Sequence, residues 1–245
     1  MTILITLLTF SYLTTPSNPH PDDVLKNLNS KDAIIRSKAA SIYAKNCRSG
    51  RSRHLFRRHR AMNAAFAKTL GDPDSTVRLN GIEMSVCLQP NKAIEKLNPK
   101  VSDHAAQVSL AAMTRLAHLE NPLGSAAVIL WLTKHQTPCL NGQSDLLERC
   151  IFAAYTLGQT SQHEPPGAAT RLKVSQTLRR FIAAPSAKLR EVSVVALSLA
   201  GHRNDTESIL RLIAQEKAGV FKNQNSPATI SQFESIARQL KQSKE

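Results

Sequence analysis

The chain has 245 residues, with 32 Lys and Arg against 18 Asp and Glu, a formal charge of +14 and an isoelectric point near 10.0. Hydrophobic residues make up 42% and aromatic residues only 4%, which favours closely packed Ala-rich helices and argues against a β-sandwich. The charge balance calls for an anionic partner: an acidic protein surface, nucleic acid or anionic lipid.

In chain order, residues 1–20 carry no charged side chain unless His20 is protonated. Ile3 to Leu13 is apolar apart from Thr6, Thr9 and Ser11. That is too short to cross a bilayer, which needs about 20 apolar residues, and suits the apolar core of a secretory signal. No Lys or Arg precedes it and no Ala-x-Ala site follows it. A signal peptide and an apolar N-terminal segment packed on the first repeat stay equally open. So do an exported (periplasmic or secreted) and a cytoplasmic location. The folded domain is expected over residues 21–245.

Helices are expected at 22–29, 33–46, about 54–70, the stretch after Asp72 to about Leu88, 92–97, from Ser102 or Asp103 to Leu119, 125–134, 144–158, 168–183, 186–200, 205–215 and 227–242. Ile34, Ile35, Ala39, Ile42 and Tyr43 form the expected packing face of the second. Leu55, Phe56, Met62, Phe66 and Leu70 do so for the third, which Gly71 ends. The run Ala126–Leu132 is apolar on nearly every side, which predicts a helix buried in the middle of the fold. The last helix is amphipathic and suits a wet outer cap.

The stretch Asp72-Pro73-Asp74-Ser75-Thr76-Val77-Arg78-Leu79 is the clearest local signal. Asp72 is the expected N-cap, Pro73 suits the first helical position, and Asp74 sits at the positive end of the helix dipole. Weaker copies centre on Arg36, Arg149 and Arg190, and a degenerate one has Gln107 in place of Arg. The anchors 36, 78, 107, 149 and 190 are spaced by 42, 29, 42 and 41 residues. A period near 40 made of helix pairs indicates an α-solenoid.

Asp-Pro-Asp-x-x-Val-Arg followed by an Ala-rich helix resembles the HEAT repeat and its bacterial HEAT-like relatives, over roughly residues 22–245. The resemblance implies an all-α, right-handed solenoid of about five helix pairs with a terminal capping helix. It also implies that Arg36, Arg78, Arg149 and Arg190 make contacts between neighbouring repeats, and that the protein is a non-enzymatic scaffold for a protein partner. The HEAT-like alkylpurine DNA glycosylases supply an alternative, a nucleic-acid-binding solenoid. Their Trp, however, would have to be Trp131, which lies in an apolar run, and no catalytic Asp can be named. Bilin lyases share the short repeat, but no thiol or carboxylate site transfers from them.

The strongest chemical feature is basic. No acidic residue lies between Asp32 and Asp72, while ten Lys and Arg do. Arg48, Arg51, Arg53, Arg57, Arg58 and Arg60 are the candidate residues for binding an acidic partner or anion. Arg53, Arg57 and Arg60 are expected on one helical stripe opposite Leu55, Met62 and Phe66. Like charges at that spacing disfavour the helix by a few tenths of a kcal/mol per pair, on the order of 0.3, and Arg suits two-point binding of carboxylate or phosphate.

The sequence offers no catalytic residue, metal site or cofactor motif: it contains no glycine-rich phosphate loop, His-Glu-x-x-His or Gly-x-Ser-x-Gly. His163-Glu164 occurs once, before two prolines. Of the four cysteines, Cys139 and Cys150 are placed to pair in an exported protein. Otherwise all four, Cys47 and Cys87 included, read as small buried hydrophobes.

Overall fold

The computed structural model describes residues 19–48, 53–119, 122–142, 144–163, 168–201 and 204–242. The stretch Ile3–Leu13 lies outside them, as do Arg51 and Glu164. Among the described residues there are fourteen α-helices and no strand. They are α1 Pro21–Asn27, α2 Ala33–Arg48, α3 Arg53–Arg58, α4 Met62–Leu70, α5 Ser75–Glu83, α6 Pro90–Leu97 and α7 Ala106–His118. Next come α8 Ser125–Lys134, α9 Gln136–Leu140, α10 Ser144–Ser161, α11 Ala169–Arg179, α12 Ala187–Ala200, α13 Asp205–Lys217 and α14 Pro227–Gln242. No helix among these is long and apolar enough to cross a membrane.

Successive helices pair as first and second members of a repeat. The second members α2, α5, α7, α10, α12 and α14 pack on one another in chain order. The first members α1, α4, α6, α8, α11 and α13 cover them, with α13 and α14 closing the stack. This is an α-solenoid, in which each pair buries its apolar face on its neighbours. Within the row, α10 and α12 approach especially closely. There a Cβ on Gly158 would stand 2.7 Å from Ala196 Cα, so the glycine is what lets the helices meet.

Arginines stitch the row. The Arg78 Nη1 group donates to the carbonyls of Asp72 and Pro73, while Nε and Nη2 grip both oxygens of Asp103 in the next repeat. Arg36 does the same with Ser30 and Lys31 carbonyls and with Asp72. Arg190 donates to the Ala184 and Pro185 carbonyls and pairs with Glu216, with Phe221 lying against its guanidinium 4.0 Å from the ring centre. Arg149 reaches back to Ser109 Oγ and the Asp103 carbonyl and lies 5.0 Å over Trp131.

Several expectations are corrected by this arrangement. The cap of α5 is Asp74, whose carboxylate accepts from the Thr76 and Val77 N–H groups; Asp72 is buried and serves Arg36 instead. Its counterpart Asp103 serves Arg78 rather than capping α7. The residue of α7 in register with Arg78 is the buried Ser109, followed by Ala112 and Met113 as Arg78 is by Gly81 and Ile82; Gln107 is exposed. Pro90 opens α6 rather than merely stopping the helix before it. Gly71 ends α4 with φ −89°, so it needs no left-handed backbone there.

Three apolar faces also differ. In α2 the buried side chains are Ala39, Ala40, Tyr43, Ala44 and Cys47, while Ile34, Ile35 and Ile42 are exposed. The small residues face in because neighbouring second helices approach closely. The expected helix over 54–70 is broken at His59–Ala61 into α3 and α4; Phe56 faces the core as expected, but Leu55 is 48% exposed. Finally, α8 is a first-row helix: Val128, Trp131 and Leu132 are buried, but Leu130 is 71% exposed. A first-row helix has solvent on its far side whatever its composition.

Candidate anion-binding cleft

The basic stretch folds around one anchor. Phe56 is fully buried against Tyr43, edge to face at 4.7 Å between ring centres, and the Tyr43 hydroxyl donates to the Phe56 carbonyl at 3.0 Å. Burial pushes the Tyr43 phenol up to about 12, with a smaller contribution from Asp22. A disulfide joins Cys47 at the end of α2 to Cys87 in the 3-10 turn Met84–Cys87. Across the gap, Arg57 Nη2 donates to the Val86 carbonyl at 2.9 Å. The His59 ring accepts the Ala61 N–H at Nδ1 and meets Asp22 through Nε2 at 3.0 Å, which ties α1 to the bend after α3.

Between this bend, the turn before α6 and the end of α7 lies a cleft of about 800 Å³. Arg57, Arg58, Arg60, Lys92 and Arg115 line it together with His54. Met62, Val86, Leu88 and Leu119 supply its apolar patches, and no acidic residue among the described residues belongs to its lining. Arg115 lies deeper than the others. Burial lowers its pKa from the ordinary guanidinium value, and repulsion from Arg48 adds to this. Elsewhere carboxylates are held below their usual range. Asp72 is lowered chiefly by its bonds from Arg36. Burial pushes Asp103 upward, but Arg78, the Ala105 N–H and Lys100 outweigh it and the net shift is down.

The candidate residues part company here. Arg57, Arg58 and Arg60 line the cleft. Arg48 instead pairs with Glu83 of α5. Arg53 opens α3, but its side chain lies outside the described residues, as does all of Arg51. Because α3 and α4 are separate helices, Arg57 and Arg60 meet at a bend and not along one helical stripe. Lys92 and Arg115 are not among the sequence candidates, since both lie outside the acid-free interval. A signal for Arg115 does exist: it is the one Lys, Arg, Asp or Glu in α7.

A second disulfide joins Cys139 to Cys150, linking α9 to α10, so all four cysteines are paired. Trp131 is buried, stacked on His135 at 4.4 Å and covered by Arg149. No cluster of His, Cys, Asp and Glu among the described residues is arranged to hold a metal.

No protein-family model matches the chain, and neither does any curated protein sequence. Solved structures do match its fold. An engineered protein from the Northeast Structural Genomics Consortium aligns with TM-score 0.61 at 12% identity, over 91% of this chain and 96% of that one. A designed armadillo repeat protein aligns with TM-score 0.52 at 15% identity, over 91% and 99%. The complex of CpcE and CpcF of phycocyanin lyase from Nostoc sp. PCC7120 gives TM-score 0.41 at 17% identity, over 93% and 97%. The chain thus has the HEAT- and armadillo-like fold, a helical repeat solenoid.

Proposed function

We propose that the chain is a non-catalytic HEAT-like scaffold that holds an acidic protein or peptide in the basic cleft beside α3. The observation that carries this reading is the lining: five cationic side chains with apolar patches between them and no carboxylate among the described residues. Such a surface attracts anions over a distance and offers Arg forks for carboxylates at contact. Its volume suits an extended segment rather than a folded domain. The solenoid fold supports a binding role in general terms, since stacked repeats present extended surfaces.

Nucleic acid is the second reading, favoured by the same charge. Two observations weigh against it. No Phe, Tyr or Trp among the described residues lines the cleft, so bases lack a large stacking platform there. Trp131 is already enclosed by His135 and Arg149, which removes the aromatic a glycosylase-like site would use. The paired cysteines support an oxidising compartment over a cytoplasmic one.

The test is a pair of titrations, one with a Glu-rich peptide and one with duplex DNA, each at low and moderate salt. The peptide is expected to saturate at one site and to lose affinity in the R57Q/R60Q/K92Q variant. Tighter DNA binding, falling steeply with salt and equally across sequences, would replace the scaffold reading. Binding of either ligand unchanged by the triple substitution would remove the cleft from the account.

A further inference from the structure

The cleft has a floor as well as a rim. Arg58, Arg60 and Lys92 are exposed, whereas Arg115 is half-buried where α7 meets the turn before α6. Its Nε donates to Ser85 Oγ at 2.8 Å, and Ser85 is itself 1% exposed, so the guanidinium is anchored at Nε. No carboxylate pairs with it among the described residues. By contrast, Arg36, Arg78, Arg179 and Arg190 each reach an Asp or Glu. A cation taken out of water without a counter-charge is unfavourable. Its surroundings make it more so, because Arg48 repels it.

We infer that Arg115, oriented by Ser85, is the anchor of the cleft and takes a carboxylate from an acidic segment of the partner. This rests on the reading of the cleft as an acidic-peptide site and deepens it. With Nε committed to Ser85, the two terminal nitrogens face a ligand with two oxygens, the geometry in which Arg binds carboxylate by paired bonds. Leu88 and Leu119 line the same space, so the segment carries an apolar residue beside the anchored Asp or Glu. The rim cations steer the segment in; Arg115 holds it. A charge pair formed at a desolvated position contributes far more to affinity than one at a wet rim.

The experiment uses the full chain and a fluorescent peptide of alternating Glu and Leu. R115Q is expected to weaken binding by about thirtyfold and R60Q by about threefold, as for a central and a rim charge. R115K, which keeps the charge but loses the fork, should recover only a small part of the loss. Unliganded R115Q should melt at or above the wild-type temperature, since an uncompensated charge has been removed. Equal, few-fold losses in R115Q and R60Q would overturn the anchor while leaving the basic cleft standing. Peptide binding indifferent to both variants would overturn anchor and cleft together. R115Q melting well below wild type would also overturn the anchor, for the guanidinium would then be holding the fold. Displacement of the peptide by inorganic phosphate as effectively as by free glutamate would overturn the carboxylate assignment.

Discussion

Arg36 grips Asp72 by two parallel bonds, Nε to Oδ2 at 2.7 Å and Nη2 to Oδ1 at 2.9 Å, while the Asp72 carbonyl accepts from Arg78 at 2.8 Å. One residue therefore binds the repeat before it through its side chain and its own repeat through its backbone. D72N should remove the ion pair and leave Arg36 without its counter-charge. Loss of this two-point partner is expected to destabilise the fold, measured by urea unfolding. E95Q, which breaks the exposed pair with Lys96, should change stability far less, because solvent screens a surface pair.

The same pairs set the acid limit of the fold. Asp72 and Asp103 both have folded pKa values below their ordinary value of 3.8. Their contribution is therefore complete above about that value in the unfolded chain and is lost as pH falls through the lower folded values. Helicity followed by circular dichroism should hold down to about pH 4 and collapse below it. In D72N/D103N the stability should be lower at neutral pH and should fall less steeply with acid.

At Gly158 the usual sign of a helix substitution should reverse. Replacing a mid-helix glycine by alanine commonly stabilises by about 1 kcal/mol. Here the new Cβ would meet Ala196 Cα at 2.7 Å and Cβ at 2.9 Å. G158A must push α10 and α12 apart, and overpacking of this kind destabilises by about 1–3 kcal/mol. A thermal melt that rises in G158A would contradict the packing described for this pair.

The two disulfides should differ in weight. The Cys47–Cys87 bond spans 40 residues and the Cys139–Cys150 bond spans 11. By loop-closure entropy the longer should contribute about 4 kcal/mol and the shorter about 3. C47S/C87S should also weaken peptide binding, because it frees the turn whose Val86 carbonyl receives Arg57. C139S/C150S, on the other side of α7 from the cleft in chain order, should leave binding unchanged. Melts and titrations of the two double variants make the comparison.

The repeat architecture is legible in the sequence because helix pairing follows from periodic apolar residues and from punctuation by Pro, Gly and Asp. The third repeat is hard to align because Ser109 replaces the arginine that marks the others; only burial reveals the register. The bend at His59–Ala61 has no glycine or proline to announce it, and depends on Phe56 finding Tyr43. The cleft is half legible. Arg57, Arg58 and Arg60 stand out as a run, whereas Lys92 and Arg115 join them only when the fold brings α6 and α7 to the same cleft. Glu83, by contrast, claims Arg48 from a different helix, a pairing that no reading of one local stretch contains.

A linear stack of repeats has two ends from which it can fray. At one end, the bond between Cys47 and Cys87 locks α2 to the turn that follows α5, with the Arg36–Asp72 pair beside it. The first two repeats cannot peel away singly; they must open as a block. At the other end α13 and α14 are held by Lys217 to Glu234 on the surface and by Arg190 to Glu216 within, without a covalent tie. Proteases acting on the native protein should therefore trim it progressively from the C-terminal side and stall before the cleft, leaving a resistant fragment that retains α2 through α5.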